Sequence, residues 1–269
     1  MDLQLSGKTA LITGAHRGTG HVIAQHLAAE GARVLLHGFT PEQAQGALTT
    51  LISASKAAGH ATPDVVPVAG DITTDAGAEA LLEELKSTPT DILVNNYGTA
   101  DPGDWGSADT NAWLDAYHKN VLSAQRLIRG LLPGMRERAF GRIINLGTVG
   151  STRPNAIMPH YYAAKGALAT LTVGLAKEVA GTGIRVNLVS PGLILTPEVE
   201  AAYLKRGKAK GWGDTWEQIE PHVAKDIPIG RIVRRAEVAD LVCFLASPKA
   251  DALHSQNIRI DGGAVDIVS

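Results

Sequence analysis

Short apolar runs alternate along the chain with longer stretches in which apolar residues recur every three or four positions. The runs are residues 9–13, 34–37, 65–68, 92–95, 142–146, 186–189 and 257–260. Most carry β-branched residues and most end at Gly, Asn, Asp or Pro, as strands bounded by turns do. Between them, 20–30, 76–86, 112–132, 163–178 and 236–245 have helical spacing. This alternation specifies right-handed βαβ units and a parallel sheet covered on both faces. The predicted fold class is therefore α/β, a doubly wound parallel sheet. No linker rich in Pro, Gly or Ser and no internal repeat divides the chain, so residues 1–269 are expected to form one domain.

The stretch 196–230 breaks the rhythm. It holds Gly207, Gly211, Gly213, Trp212 and Trp216, with Lys205, Arg206, Lys208 and Lys210 in one short run. Two readings stand: a surface helix pair with a solvated charged face, or a mobile substrate lid over the carboxyl end of the preceding strand.

Charge narrows the partners. Lys and Arg total 25 against 27 Asp and Glu, a net charge of −2, and polyanion binding needs a strongly basic balance. Neither nucleic acid nor an anionic membrane is expected as a partner. No apolar run approaches the roughly 18 residues of a membrane span. The single cysteine, Cys243, has no partner for an internal disulfide, which fits a reducing compartment. The first residues lack the basic and apolar regions of a secretory signal. A cytoplasmic protein is the expectation. His118 and His222 have no neighbours at ligand spacing, so no metal site is predicted.

Candidate chemistry begins where the first run meets the first helix, at Thr13-Gly14-Ala15-His16-Arg17-Gly18-Thr19-Gly20. Small residues let the backbone approach a phosphate, and a helix N-terminus adds free N–H groups and a positive dipole end. The spacing Gly-x-x-x-Gly-x-Gly departs from the commoner dinucleotide fingerprint. After the second run the chain reads His37-Gly38-Phe39-Thr40, without the acid that would bind a ribose 2′-hydroxyl. Arg17 can reach a 2′-phosphate with charge-assisted bonds. NADP is therefore expected as cofactor, with NAD the alternative.

A second constellation is Tyr161 and Lys165, four apart on one helix face. A phenol near pKa 10 is a poor base at neutral pH, and a nearby ammonium favours its ionised form. Such a pair exchanges a proton with a carbonyl or alcohol oxygen while hydride moves to or from a cofactor. Alone, the spacing is a frequent accident. Here it comes with Asp71 after the third run, Asn95-Asn96-Tyr97-Gly98 after the fourth, Asn120 in the next helix and Gly147-Thr148 after the fifth. Pro191-Gly192 follows the sixth and Asp261-Gly262-Gly263 the last. In this order and on these elements, the chain resembles the short-chain dehydrogenase/reductases in their compact form over essentially its whole length.

The resemblance implies a Rossmann-like sheet and a role for each matching residue. Tyr161 would be the general acid/base, and Lys165 would lower its pKa and hold the nicotinamide ribose. Asn120 would position a water. Gly14, His16, Arg17, Gly18, Thr19 and Gly20 would hold the diphosphate side, and His37, Gly38 and Phe39 the adenosine end. Asp71 with Ile72 would meet adenine, and Asn95, Tyr97 and Gly98 would line the ribose side. Pro191, Gly192, Ile194 and Thr196 would close on the nicotinamide and diphosphate. The family's paired helices imply a homo-oligomer, dimer or tetramer, through 113–132 and 161–178.

Two departures matter. The family's substrate-orienting serine falls thirteen residues before the tyrosine, where this chain has Thr148. Threonine keeps the hydroxyl and adds a methyl and a stiffer χ1; Ser151 is a poorer match. Tyr97 replaces the family's alanine and could stack on substrate, wall the nicotinamide pocket or pack beneath the following loop. The expected activity is interconversion of a secondary alcohol and a ketone. The rival readings are a non-catalytic dinucleotide sensor and an isomerase or lyase that retains its cofactor.

Overall fold

The computed structural model describes residues 1–59 and 61–267. In chain order they form β1 (Thr9–Ile12), α1 (Gly18–Ala29), β2 (Arg33–Gly38), α2 (Pro41–Ala57), β3 (Val65–Ala69), α3 (Asp75–Glu84) and β4 (Ile92–Asn95). A long helical stretch follows, made of α4 (Thr110–Tyr117), a π-helical turn (His118–Leu122) and α5 (Ser123–Glu137). Then come β5 (Gly141–Leu146), a 3₁₀ turn (Val149–Ser151), α6 (Pro159–Glu178), β6 (Ile184–Pro191), β7 (Ile194–Leu195), α7 (Pro197–Ala209) and α8 (Trp216–Val223). The chain closes with β8 (Val233–Arg234), α9 (Arg235–Ala246) and β9 (Asn257–Ile260).

Each of the seven apolar runs is a strand of one sheet, in the order β3-β2-β1-β4-β5-β6-β9, and all neighbours are parallel. Strand alternation divides the core. Ala10, Ile12, Val34, Leu36, Ile92 and Val94 face α1, α2 and α9, where they meet Ile23, Leu27, Leu51 and Val242. Leu11, Leu35 and Leu93 face α3, α5 and α6, meeting Leu81, Leu127 and Leu168. Both faces are dry, which is why the runs read as continuous apolar segments rather than as alternating ones.

Two details differ from the sequence expectation, and a third matches one of the two readings given for 196–230. The helix expected over 112–132 is interrupted by the π turn. The catalytic-pair helix starts at Pro159, after a left-handed Met158, so Tyr161 lies in its first turn. The 196–230 stretch is the helix pair α7–α8, flanked by the small β7–β8 ribbon. Ile219 packs on Gly207, and Trp212 stacks on His222 with centroids 5.0 Å apart.

Candidate active site

The strand order reverses between β1 and β4, and in a doubly wound sheet the ligand crevice lies at the carboxyl ends of the strands beside such a reversal. Gly14 and Gly18 both have φ of +62°, a conformation costly for other residues. Arg17 occupies the N-cap of α1 without a side-chain cap, and no acid lies in the first turn. The first N–H groups of the helix thus face the crevice ready for an anion. Asn96 braces the turn from behind, its Nδ2 donating to the Thr13 carbonyl at 2.9 Å. A Cβ on Gly20 would come within 2.4 Å of that same nitrogen, so Gly20 is there for close approach.

His37 requires a correction. Its ring is wholly buried, with Nδ1 accepting from the Gly14 N–H at 3.1 Å and Nε2 donating to the Gly70 carbonyl at 2.9 Å. Both nitrogens are committed to protein, and burial holds its pKa down to about 4. His37 is a neutral clamp joining the ends of β1, β2 and β3, not a direct ligand for adenosine. Asn95 is likewise interior: its Nδ2 donates to Asn145 Oδ1 at 2.8 Å, and Asn145 donates on to Thr172. Its side chain ties β4 to β5 and α6 instead of lining the ribose side.

Phe39 is the centre of an aromatic group, 4.6 Å from the Tyr97 ring, 5.5 Å from His37 and 6.2 Å from His16 by centroids. The Tyr97 ring stands at the end of β2, against Phe39. Burial raises the Tyr97 phenol, and burial followed by the Arg17 charge lowers His16. Asp71 accepts from the Thr73 N–H and hydroxyl, which closes a turn after β3, with Ile72 buried behind it. Arg17 reaches across the crevice to Glu198 in the first turn of α7, at 3.4 Å. That contact lies beyond any sequence spacing and could not be foreseen.

The second half of the crevice gathers around Gly98. A Cβ there would come 2.5 Å from Asn120 Oδ1 and 2.8 Å from Lys165 Nζ, so these two groups converge on one bare backbone position. Lys165 is buried, donates to the Leu146 carbonyl at 2.8 Å, and is pushed down to about 8 by desolvation. Asn120 sits in the π turn, and its Nδ2 donates to the carbonyls of Thr99 and Ala116, both at 3.0 Å. Its Oδ1 is buried and takes no bond from the protein. The π turn opens the helical ladder at this point, which is how a side chain reaches the Ala116 carbonyl.

Tyr161 lies one turn before Lys165. Burial, with Tyr162 beside it, raises its phenol to about 12, while the Thr148 hydroxyl pulls it lower. The resemblance implies that Lys165 lowers this pKa; in the structure desolvation dominates both groups, and each is pushed toward its neutral form. Thr148 Oγ1 accepts from the Gly150 N–H at 3.2 Å. Ser151 turns its hydroxyl onto the Thr148 carbonyl at 2.7 Å, which leaves Thr148 as the hydroxyl facing Tyr161.

Pro191 ends β6, and Gly192 packs against the Asp261 backbone, 3.0 Å from where its Cβ would lie. Ile194 is in β7, and Thr196 caps α7 by accepting from the Val199 N–H at 3.2 Å. Three of the four residues of the basic run have partners: Lys208 pairs with Asp214, Lys210 lies over Trp212 and Arg206 over Tyr203. A cavity of about 1120 Å³ lies at the opposite ends of the strands, between α1, α2 and α9, and holds none of these residues. Cys243 is on its wall, its thiol pushed up to about 12 by burial. Among the described residues no group of three His, Cys, Asp or Glu is placed to hold a metal, and no helix is long and apolar enough to cross a membrane.

Comparison with known proteins agrees with this geometry. A family model described as enoyl-(acyl carrier protein) reductase matches residues 14–265. The chain is 34% identical to the uncharacterized oxidoreductase YvaG of Bacillus subtilis, over 98% of each chain. It is 32% identical to the 3-oxoacyl-[acyl-carrier-protein] reductase FabG of Vibrio cholerae, over 97% of this chain and 98% of that one. Among solved structures, L-sorbose reductase of Gluconobacter frateurii, complexed with NADPH and L-sorbose, superposes with a TM-score of 0.90 at 35% identity over the whole of both chains. A gluconate 5-dehydrogenase of Burkholderia cenocepacia, in complex with NADP and tartrate, gives 0.84 at 28% identity, covering 99% of this chain and 98% of that one. With a glycine turn at the strand reversal and Asn120 and Lys165 converging on Gly98 beyond it, this chain belongs to the short-chain dehydrogenase/reductase family and is an oxidoreductase of that family.

Proposed function

We propose that the protein is an NADP(H)-dependent oxidoreductase that reduces a ketone to a secondary alcohol, with Tyr161 as the proton donor. The observation that carries this reading is the convergence of Lys165 Nζ and the unpartnered Asn120 Oδ1 on Gly98, one helical turn from Tyr161. A buried acceptor without a bond, beside a backbone position stripped of its Cβ, fits a ribose and a water better than a packed interior does.

The residues fit a dinucleotide along the rest of the crevice. The α1 N-terminus and Gly14–Gly18 turn would hold the diphosphate, Phe39, Asp71 and Tyr97 would surround the adenosine, and Pro191, Gly192, Ile194 and Thr196 would border the nicotinamide. Arg17 is the cation in reach of a 2′-phosphate, and the two NADP(H)-bound neighbours support that form of the cofactor. When bound, the nicotinamide supplies hydride chemistry.

The chain's own residues do the rest. A phenol raised to about 12 is protonated at neutral pH, so Tyr161 Oη–H donates to the substrate carbonyl oxygen as negative charge develops there. Thr148 donates a second bond to that oxygen, acting as a preorganised oxyanion donor. The Lys165 ammonium, which persists below about 8, stabilises the phenolate left behind. Asn120 Oδ1 orders the water through which the proton is replaced. The exposed side chains of Leu114, Tyr117 and Val173 support assembly into a homo-oligomer through α4 and α6.

The test is Tyr161→Phe, assayed by NADPH oxidation with L-sorbose and with ethyl acetoacetate. NADPH affinity should stay within about twofold, whereas kcat should fall by about 10²–10⁴, as expected for a lost general acid. Undiminished kcat in this variant would falsify the assignment.

A further inference from the structure

Tyr162, the neighbour of the proposed proton donor, is a partly buried aromatic that the reaction above does not use. Its ring lies directly on Gly150. A Cβ at Gly150 would come 2.0 Å from Tyr162 Cε1 and 2.4 Å from Cδ1. Gly150 is not among the residues with positive φ, so its backbone does not call for glycine; the ring above it does. The phenol is fixed at its far end, where Asn155 Nδ2 donates to Tyr162 Oη at 2.8 Å. Asn155 Oδ1 accepts from the Ile157 N–H at 2.9 Å, so both ends of that amide are committed and the clip is oriented.

The peptide beneath the ring is the one that orients Thr148. Gly150 donates its N–H to Thr148 Oγ1 at 3.2 Å, and the Ser151 N–H and hydroxyl both donate to the Thr148 carbonyl. With one lone pair of its oxygen taken by Gly150, the Thr148 hydroxyl has its proton free to point toward Tyr161 and the substrate. We infer that Tyr162 is a positioning residue: clamped between Asn155 and Gly150, it holds the 149–151 turn in the one place that aims the Thr148 hydroxyl at the reacting oxygen. The inference rests on the role given to Thr148 under the proposed function.

The test compares Thr148→Ala, Tyr162→Ala, Tyr162→Phe, Gly150→Ala, the Thr148→Ala/Tyr162→Ala pair and the Gly150→Ala/Tyr162→Ala pair. Each is assayed at saturating NADPH with the faster of L-sorbose and ethyl acetoacetate. Tyr162→Ala should lower kcat about tenfold, within the range by which contacting residues couple, with NADPH affinity within about twofold. Tyr162→Phe keeps the ring and should lose about threefold at most, roughly the worth of one hydrogen bond. Two results set positioning apart from mere scaffolding. In the Thr148→Ala background Tyr162→Ala should cost nothing further, and Gly150→Ala, damaging alone, should be relieved when the ring is removed. Without turnover, the loosened turn reads as faster amide hydrogen exchange across 149–153 in Tyr162→Ala.

Equal losses from Tyr162→Ala with and without Thr148, or wild-type kcat and exchange in Tyr162→Ala while Thr148→Ala is impaired, overturn the inference and leave Thr148 in place. Wild-type kcat in Thr148→Ala removes the reading of Thr148 itself, and the inference with it.

Discussion

The two walls of the crevice are built from opposite materials. On the strand side, the ties are neutral and buried or half-buried: Asn96 on Thr13, His37 between Gly14 and Gly70, Asn95 on Asn145. On the side of α7, the link to the glycine turn is Arg17–Glu198, both side chains more than 60% exposed. A buried polar group that loses its partner costs the full desolvation penalty, whereas an exposed ion pair contributes little and is screened by salt. One wall is therefore tied to the sheet by shielded polar bonds, and the other meets the glycine turn through a solvent-screened contact. On that side α8 is moored through the bidentate contact of Arg234 with Glu220.

The contrast can be broken most severely inside. Lys165→Met, which removes the buried ammonium, should reduce kcat by about 10²–10⁴. In the wild type, reduction should decline as pH rises through about 8, where Lys165 gives up its proton while the Tyr161 phenol keeps its own; a pH–rate profile of both proteins checks this.

His37→Ala comes next. It strands the Gly14 N–H and the Gly70 carbonyl, at about 2–6 kcal/mol for the two, measurable by urea unfolding. Its pH signature has a definite sign. A histidine held down to about 4 when folded takes up a proton near 6.5 when unfolded. Wild-type stability should therefore be fully present above about 6.5 and fall as pH drops toward 4, by on the order of 3 kcal/mol from this residue. His37→Gln should lack that part of the slope.

Effects on the outer wall should be smaller. Arg17→Ala should weaken NADPH about tenfold and leave NADH nearly unchanged, as read by fluorescence titration, since a charge-assisted bond is worth roughly 1.5–3 kcal/mol. Glu198→Gln releases Arg17 from its competitor and should tighten NADPH by less than about fivefold, an effect that disappears at high salt. A large, salt-independent change at Glu198 would mean that the outer wall is as fixed as the inner one.

Much of this was legible before any coordinates. The seven apolar runs give the sheet because both of its faces are buried, and that burial writes an unbroken signal into the sequence. Lys165 and Asn120 converge on Gly98, three positions that their motif order alone puts on separate elements. What could not be read was direction. Position 37 lies at the end of the second strand, where the resemblance implies a cofactor contact, yet whether its ring turns toward the crevice or inward is decided by a carbonyl after another strand. The same holds for Asn95 and Asn96, adjacent residues with opposite assignments: strand alternation sends one amide into the sheet and leaves the other for the glycine turn. Tyr162 over Gly150 carried a faint signal, a large residue and a small one in two segments that the fold brings into contact, but nothing in their spacing joins them.

The π turn at His118–Leu122 has a geometric corollary. An inserted residue advances a helix by about 100° of azimuth, so the outward stripe of α4, with Leu114 and Tyr117, and the inward Asn120 keep their bearings only while that extra residue is present. Deleting one residue there would regularise the ladder and swing the amide away from Gly98, or else rotate the outer stripe. The helix cannot become ideal without giving up one of its two headings.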